Sequence, residues 1–531
     1  MSLAFDEMGR PYIIVREQEK KRRVKGLEAT RANLVSAMAV AATLRSSLGP
    51  KGMDKMIVSP DGDILITNDG ATIVERMEVA HPVARLMVEL SQSQDNEVGD
   101  GTTGVVVLAG LLMEQAVRLL DKGVHPLRIA AGFERGVDAL LPHLDSLALT
   151  PPDAHDTLLK AAMTALGSKV VAQHKRRLAE ISVDAVLHVA DEARRDVNFD
   201  LIKIVGKTGQ SVGETELIAG ILIDKDFSHP QMEKRVSDAK IAIVTCPFEP
   251  PKPKTKYNLH VASADDYRAL HAREQQYFVE MVRRVKESGA DIVMCQWGFD
   301  DEANYLLYQS GLRAVRWVSG TDVELLALAT GARIVPRFEE LHPQKLGFAG
   351  LVEELNFGTQ QTGMLVVKEL PAAKAVTILV RGGSKTIVDE AHRSIHDALC
   401  VVRNLYRDPR VVLGGGSAEL SCALKLRALA EETPTVEQYV MRGMADALEQ
   451  VCVVLAENSG MDPIQALSEA RARQVAEGSA AWGIACMEAR VADMRGQEVF
   501  ETLGAKRHQL QLAAQVVKMV LKIDDVIERT E

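Results

Sequence analysis

The sequence predicts a multidomain α+β protein. Three observations carry this. Long helical patterns occupy both ends of the chain, short apolar strand-like runs alternate with helices in its middle, and 531 residues suffice for about three domains of ordinary size. Helical ends around an α/β middle imply that both termini build one domain into which the rest is inserted.

The first portion reads as helix, with Leu34, Val35, Met38, Ala41 and Ala42 on one apolar face that ends at Leu48-Gly49-Pro50. A hairpin follows. Met56-Ile57-Val58 and Ile64-Leu65-Ile66 flank Ser59-Pro60-Asp61-Gly62, where proline presets φ and glycine accepts a positive one. It delivers the acidic loop Asn68-Asp69-Gly70. Leu86 and Leu90, with Val83 and Met87, then repeat at helical spacing before the chain turns polar from Ser91 to Asn96.

Next comes Gly99-Asp100-Gly101-Thr102-Thr103-Gly104, which opens the apolar run from Val105 to Leu112. Small residues let backbone N–H groups close on an anion at a helix N-terminus, where the dipole favours negative charge. Asp100 would repel phosphate unless a divalent cation lay between them, so the motif asks for a magnesium nucleotide. A dinucleotide fold would need a strand before these glycines, and a helix precedes them. Gly206-Lys207-Thr208 is not a P-loop, because Leu201 stands where its first glycine belongs. A plain glycine turn between two core helices is the competing reading.

The middle carries strand candidates Ile241 to Thr245, Asp291 to Cys295, Ala314 to Val318 and Ala375 to Val380. The proline-rich, basic stretch from Phe248 to Thr255 fits neither a packed helix nor a central strand. A charged helix after it sets Tyr267, Leu270, Phe278, Met281, Val282 and Val285 on one stripe. This is either a surface loop with an amphipathic helix or a protrusion that meets a partner. In the last portion Thr435 and Gln438 have capping-box spacing, opening a helix with Val436, Tyr439, Val440, Met444, Ala447 and Leu448 on its face. Asn458-Ser459-Gly460 and Pro463 end it. Arg10 to Val15 and Leu521 to Ile527 read as short edge strands, which invite pairing with another chain.

Bulk properties exclude several classes. A net charge of −10 speaks against a general nucleic-acid or membrane-surface binder. The apolar run at 105–112 is too short to span a membrane, the N-terminus has no signal-peptide core, and Gln18 to Arg23 is a basic patch. Six scattered cysteines without paired spacing predict neither structural zinc nor a disulfide framework, and fit a reducing cytoplasm.

Six motifs together resemble the group II chaperonins of the TCP-1 family over essentially the whole chain. They are Ser47-Leu48-Gly49-Pro50-Lys51-Gly52, Asn68-Asp69-Gly70-Ala71-Thr72, Gly99 to Thr103, Arg381-Gly382-Gly383, His396-Asp397-Ala398-Leu399, and Val412 to Glu419. Leu3 to Glu7, Asp224 to Pro230, Cys246 to Lys256 and Gln296 to Ala303 resemble one eukaryotic branch of that family. The resemblance implies an equatorial ATP-binding domain at 1–150 and 409–531. It implies a hinge-like intermediate domain at 151–221 and 377–408, and an inserted α/β apical domain at 222–376 with a helical lid protrusion at about 248–288. It also implies seven paralogous partners in two stacked eight-membered rings around non-native proteins such as actin and tubulin, with no nucleic acid or membrane partner.

By the same resemblance Leu48, Gly49 and Pro50 contact the nucleotide, while Gly101, Thr102, Thr103 and Gly104 cradle its phosphates. Asp100 holds magnesium, and Asp69, Asp100 and Asp397 form a carboxylate trio serving ATP hydrolysis. Asp397 accepts a proton from, or orients, the attacking water, and Asp69 helps position water and metal. Ser168 and Lys169 match a segment whose lysine senses the terminal phosphate. Gly414, Gly415 and Gly416 let the backbone approach ribose and base, and Glu501 takes the place of an acidic ribose contact. Thr502 stands where a proline commonly follows that acid, and Ala485-Cys486 where many relatives carry a polar residue. The sequence also admits a slowly hydrolysing structural subunit of the same ring, or an unrelated magnesium kinase or ATPase. The helix candidate Val323 to Ala329 reads as core more than as a client-binding face.

Overall fold

The computed structural model describes residues 2–5, 11–14, 23–79, 81–250, 263–356, 363–371 and 374–527. The chain divides into two compact units, one of residues 1–169 and 408–531, the other of 170–407.

The first unit opens with β1 (Ser2–Phe5) and β2 (Pro11–Ile14), an antiparallel pair, then β3 (Arg23–Lys25) and α1 (Leu27–Arg45). Helix α1 buries Leu34, Ala37, Val40, Ala41 and Leu44. Val35 and Ala42 point outward instead of joining the predicted face, each lying about 100° around the helix from a buried neighbour. The hairpin forms as β4 (Lys55–Val58) and β5 (Ile64–Thr67), with Gly62 at φ 87° in its turn. Then come α2 (Gly70–Arg76), α3 (Pro82–Glu97), α4 (Thr102–Asp121), α5 (Pro126–Leu147) and α6 (Ala154–Leu166). A helix therefore precedes the glycine motif, as the spacing predicts.

Helix α4 is long and apolar enough to cross a membrane by length and composition, yet it is the centre of a core. Val105 to Met113 are all buried, among α1, α3, α13 (Glu437–Asn458) and α16 (Leu503–Leu521). At about 1.5–3 kcal/mol for each large apolar side chain, this run is a main source of the unit's stability. Gly110 lets α1 approach closely, since a Cβ there would lie 2.3 Å from the Ala41 Cβ.

The second unit begins with α7 (Lys175–Val189), β6 (Ile202–Thr208), β7 (Glu216–Ile218), β8 (Gly220–Ile223) and β9 (Arg235–Val244). It continues through α8 (Ala264–Glu287), β10 (Ile292–Cys295), α9 (Asp301–Gln309), β11 (Arg313–Val315) and α10 (Gly320–Thr330). β12 (Gly347–Asn356), β13 (Gly363–Lys368), β14 (Val376–Gly382) and α11 (Lys385–Arg407) close it. Six strands form one sheet in the order β11-β10-β9-β12-β13-β8, in which β9, β10 and β11 run parallel. The fourth predicted strand, β14, lies elsewhere, between β6 and β7 in a three-stranded sheet. Gly206-Lys207-Thr208 is the end of strand β6 rather than a phosphate loop.

On α8, Phe278, Met281, Val282 and Val285 are buried while Tyr267 and Leu270 are exposed, so only the C-terminal half of the predicted stripe meets a core. Most of the proline-rich stretch, from Pro251 on, lies outside the described residues, as do Asp6, Glu7, Arg10, Val15 and most of the basic patch at 18–23. In α10, Val323, Leu325, Leu326 and Ala329 are buried.

The chain returns to the first unit through β15 (Val411–Leu413), α12 (Ser417–Glu432) and α13, followed by α14 (Pro463–Glu477). The predicted capping box does not form. Val436 occupies the N-cap in helical geometry without a side-chain bond, and the Gln438 N–H donates to the Thr435 carbonyl in a backbone turn. Val436 and Tyr439 are exposed, and Val440, Met441, Met444 and Leu448 make the buried face. β16 (Trp482–Ala485), β17 (Arg490–Asp493), α15 (Met494–Gln497), β18 (Phe500–Thr502), α16 and β19 (Asp525–Ile527) complete the chain. β19 pairs with β3, while Leu521 still belongs to α16, so the C-terminal strand is shorter than the sequence implies.

Candidate functional site

Two helices of the first unit start at the glycine motifs, and neither carries a side-chain cap. Gly101 precedes α4 at φ 74° and Gly416 precedes α12 at φ 75°, both left-handed. Asp69, His81, His125, Asp153, Asp462 and Thr502 each cap a helix of the same unit with a side chain, whereas α1 after Gly26 and α13 after Val436 also start without one. Leaving a helix start to glycine directs its first N–H groups at an external acceptor.

The Gly99–Gly104 loop is held from two sides. The Gln94 side-chain amide donates to the Asp100 carbonyl at 2.8 Å, and that of Gln509 donates to the Gly101 carbonyl at 3.0 Å. His508 Nδ1 lies 2.9 Å from Gln94 Oε1, which fixes the first clamp. Loop 68–70 lies against the start of α4, since a Cβ on Gly70 would come within 2.6 Å of the Thr103 backbone nitrogen. Leu48 is anchored by Asn458, whose amide donates to its carbonyl at 2.8 Å, and Gly49 follows at φ 90°. Pro50 is exposed and Ser168 half-buried.

Asp69 caps α2. Its Oδ2 accepts from the Thr72 N–H at 3.1 Å and the Thr72 hydroxyl at 2.7 Å, and its Oδ1 accepts from the Thr102 hydroxyl at 3.3 Å. Lys169 Nζ stands 3.7 Å from the same Oδ1, in a nearly enclosed pair. Burial alone would raise the Asp69 pKa, but Lys169 and the hydroxyl and amide donors outweigh it and hold the carboxyl below its ordinary range. Asp100 goes the other way. Burial lifts it and the charge of Asp69 adds to the lift, while the bond from the Gly101 N–H and the charges of Lys169 and Lys506 only partly offset it.

The glycine loop before α12 is built against β16 and β18. The Gly414 N–H donates to the Val499 carbonyl at 3.0 Å, and the Ile484 N–H to the Gly415 carbonyl at 2.9 Å. Glu501 lies beside it, because a Cβ on Gly414 would be 2.8 Å from Glu501 Oε1. Thr502, in place of the expected proline, accepts the Ala505 N–H at 3.3 Å and caps α16. Ala485 and Cys486 are buried at the end of β16.

Within this unit the four carboxylates Asp69, Asp100, Glu419 and Glu501 act on only two ammonium groups, Lys169 and Lys506. Glu419 Oε2 is buried without a hydrogen-bond partner. That surplus of negative charge suits a cation. Among the described residues no three acidic, histidine or cysteine side chains converge to hold a metal by themselves. A cation here would need phosphate or water oxygens beside the protein carboxylates, a sphere that suits magnesium.

Asp397 belongs to the second unit, half-buried on α11, whose buried face carries Glu390, Ser394, Ile395 and Ala398. Sequence reasoning missed Gln94, Asn458, Lys506, His508 and Gln509. Lys506 and Gln509 share a face of α16 at i, i+3, just after Glu501, which is the one signal that could have found them. None of the six cysteines forms a disulfide, and burial pushes Cys246 up to about 11 and Cys295 up to about 12.

Comparison with known proteins agrees with the six motifs. The TCP-1/cpn60 chaperonin family matches residues 40–531. The chain is 48% identical over 526 residues to T-complex protein 1 subunit epsilon of Encephalitozoon cuniculi, covering 99% of this chain and 98% of that protein. It is 41% identical to thermosome subunits of Methanocaldococcus jannaschii, over 97% of this chain and 95% of the relative, and of Pyrococcus abyssi, over 98% and 94%. With uncapped glycine-led helices in its first unit and full-length matches of this strength, the chain belongs to the TCP-1/cpn60 chaperonin family.

Proposed function

We propose that this chain is an ATP-hydrolysing subunit of a ring-shaped protein-folding machine. What carries the reading is that the two glycine motifs at Gly101 and Gly416 each open an uncapped helix beside a cluster in which four carboxylates meet two ammonium groups. Backbone N–H groups at Gly101 to Gly104 receive the phosphates, and Leu48, Gly49 and Pro50 line the nucleotide from the end of α1. Gly414 to Gly416 admit ribose and base, with Glu501 accepting ribose hydroxyls. Phosphoryl transfer needs charge neutralisation and positioning more than covalent help, and Mg²⁺ supplies the neutralisation when bound, held by Asp100.

Lys169 meets the terminal phosphate beside Ser168, and its second task is to keep Asp69 ionised. A carboxylate held below its ordinary range takes up a proton poorly, so Asp69 orients water and Asp397 is the acceptor or orienter of the attacking water. Since Asp397 lies on α11 in the other unit, closure that brings it to the phosphates couples hydrolysis to movement of the substrate-binding part.

The reading divides the chain into an equatorial domain at 1–150 and 409–531, an intermediate domain at 151–221 and 377–408, and an apical domain at 222–376. Its partners are seven paralogous subunits in a double eight-membered ring, its clients non-native proteins such as actin and tubulin, and its compartment the cytoplasm. Magnesium-dependent ATP hydrolysis by the assembled particle, with and without Asp397→Ala in this chain, tests it. The substitution should leave ATP binding intact and remove most of this subunit's turnover. An unchanged rate would remove Asp397 from the mechanism, and absence of ATP binding would overturn the reading.

A further inference from the structure

Lys506 sits at the junction of three elements. From the first turn of α16 its ammonium pairs with Glu419 Oε1 of α12 and stands 2.5 Å from Glu501 Oε2 of β18. The two oxygens of Glu501 are thereby distinguished. Oε2 is tied to the lysine, and Oε1 lies on the Gly414 side, close enough that a single added methyl there would press on it at 2.8 Å. Gly414 opens the left-handed pair Gly415-Gly416 that leads into the uncapped α12.

We propose that Lys506 is a positioning residue for nucleoside recognition: by holding Glu501 Oε2 it aims Oε1 at the Gly414 loop, where it accepts the ribose hydroxyls of a bound nucleotide. This rests on the nucleotide reading of the first unit. Glu419 is the other half of the device. Its Oε1 anchors the ammonium, while its Oε2 is buried without a hydrogen-bond partner, so loss of the lysine leaves two carboxylates facing each other. Burial favours the neutral form of Glu501, the charges of Glu419 and Asp100 push the same way, and Lys506 opposes them. A neutral Glu501 would accept the ribose hydroxyls more weakly than the carboxylate does.

The test compares ATP with 2′,3′-dideoxy-ATP on the full-length chain in its assembled particle. Affinities are measured for the wild type and for Lys506→Met and Lys506→Arg in this chain alone. The wild type should bind the dideoxy analogue roughly tenfold to a hundredfold more weakly, the loss expected for a hydrogen bond to a charged acceptor. Lys506→Met should bring that ratio close to one, and Lys506→Arg should restore it. If Lys506→Met does not assemble, Lys506→Gln keeps a polar side chain, loses only the charge, and is read the same way. A ratio that survives loss of the ammonium, with both nucleotides weakened equally, overturns the proposal, because a merely structural lysine behaves so. A wild type that binds ATP without discriminating removes the Glu501 contact and the proposal with it. A wild type that binds no ATP overturns the nucleotide reading itself.

Discussion

Gly101→Ala would place a methyl group 1.8 Å from the Gln509 side-chain nitrogen, on a backbone held at φ +74°. Left-handed geometry costs alanine about 1–2 kcal/mol. The collision itself is cheap to relieve, because the amide is the free end of a flexible side chain. Relief nevertheless surrenders the 3.0 Å bond from Gln509 to the Gly101 carbonyl, worth about 1 kcal/mol. The expected destabilisation is about 2–3 kcal/mol, measured by equilibrium urea unfolding of the full chain. Gln509→Ala alone should cost about 1 kcal/mol. The double variant should be no less stable than Gly101→Ala, since both changes break the same bond, which gives a coupling of about 1 kcal/mol in the cycle. Full additivity, or a Gly101→Ala loss below about 0.5 kcal/mol, the level of an ordinary surface change, would refute the claim that this glycine and this clamp shape the loop.

Other expectations follow from neighbouring features. Folded Asp69 binds its proton less readily than the unfolded chain, so its stabilising contribution is full above the ordinary carboxylate range and is lost as pH falls through its lowered pKa. Lys169→Met removes the main opposing charge, so acid unfolding should begin at higher pH in that variant, and an unshifted acid transition would contradict the pairing. Thr502→Ala should cost about 1 kcal/mol through loss of the α16 cap, readable as a lower urea midpoint. Removing β1–β2 together with β19, short strands that each sit in a two-stranded sheet, should weaken ring assembly in native gels. Normal rings without them would end that reading.

Legibility in the sequence varied with how local the signal was. The Gly99–Gly104 loop and its flanking helices could be read because a left-handed start and an apolar run are both properties of a few adjacent residues. The Pro-Asp-Gly hairpin was legible for the same reason. The strand runs around Ile241, Ile292 and Ala314 were recognisable as strands, but the pattern of β14 says nothing about its sheet. Partners from β6 and β7 decided that. The stripe on α8 marks what could be buried, and only its C-terminal half found a core to meet. Thr435 and Gln438 have the residue types of a capping box, yet a backbone turn satisfied the chain there first. Within the site, Lys506 stands close to Glu501 in sequence, but its other partner, Glu419, is 87 residues away and only folding joins them. The positions of Asp69, Asp100 and Lys169 came through family motifs, and the structure adds why Asp69 and Asp100 titrate in opposite directions.

A nucleotide-binding subunit of a hetero-oligomeric ring should copurify with its paralogues and carry nucleotide itself. Native mass spectrometry of the particle purified through a tag on this chain, with and without magnesium and ATP, tests it most directly. The expected result is a double ring with one or two copies of this chain among related subunits, and a nucleotide mass shift on this chain when magnesium and ATP are supplied. A bare monomer, or a ring in which this chain never acquires nucleotide, would contradict it.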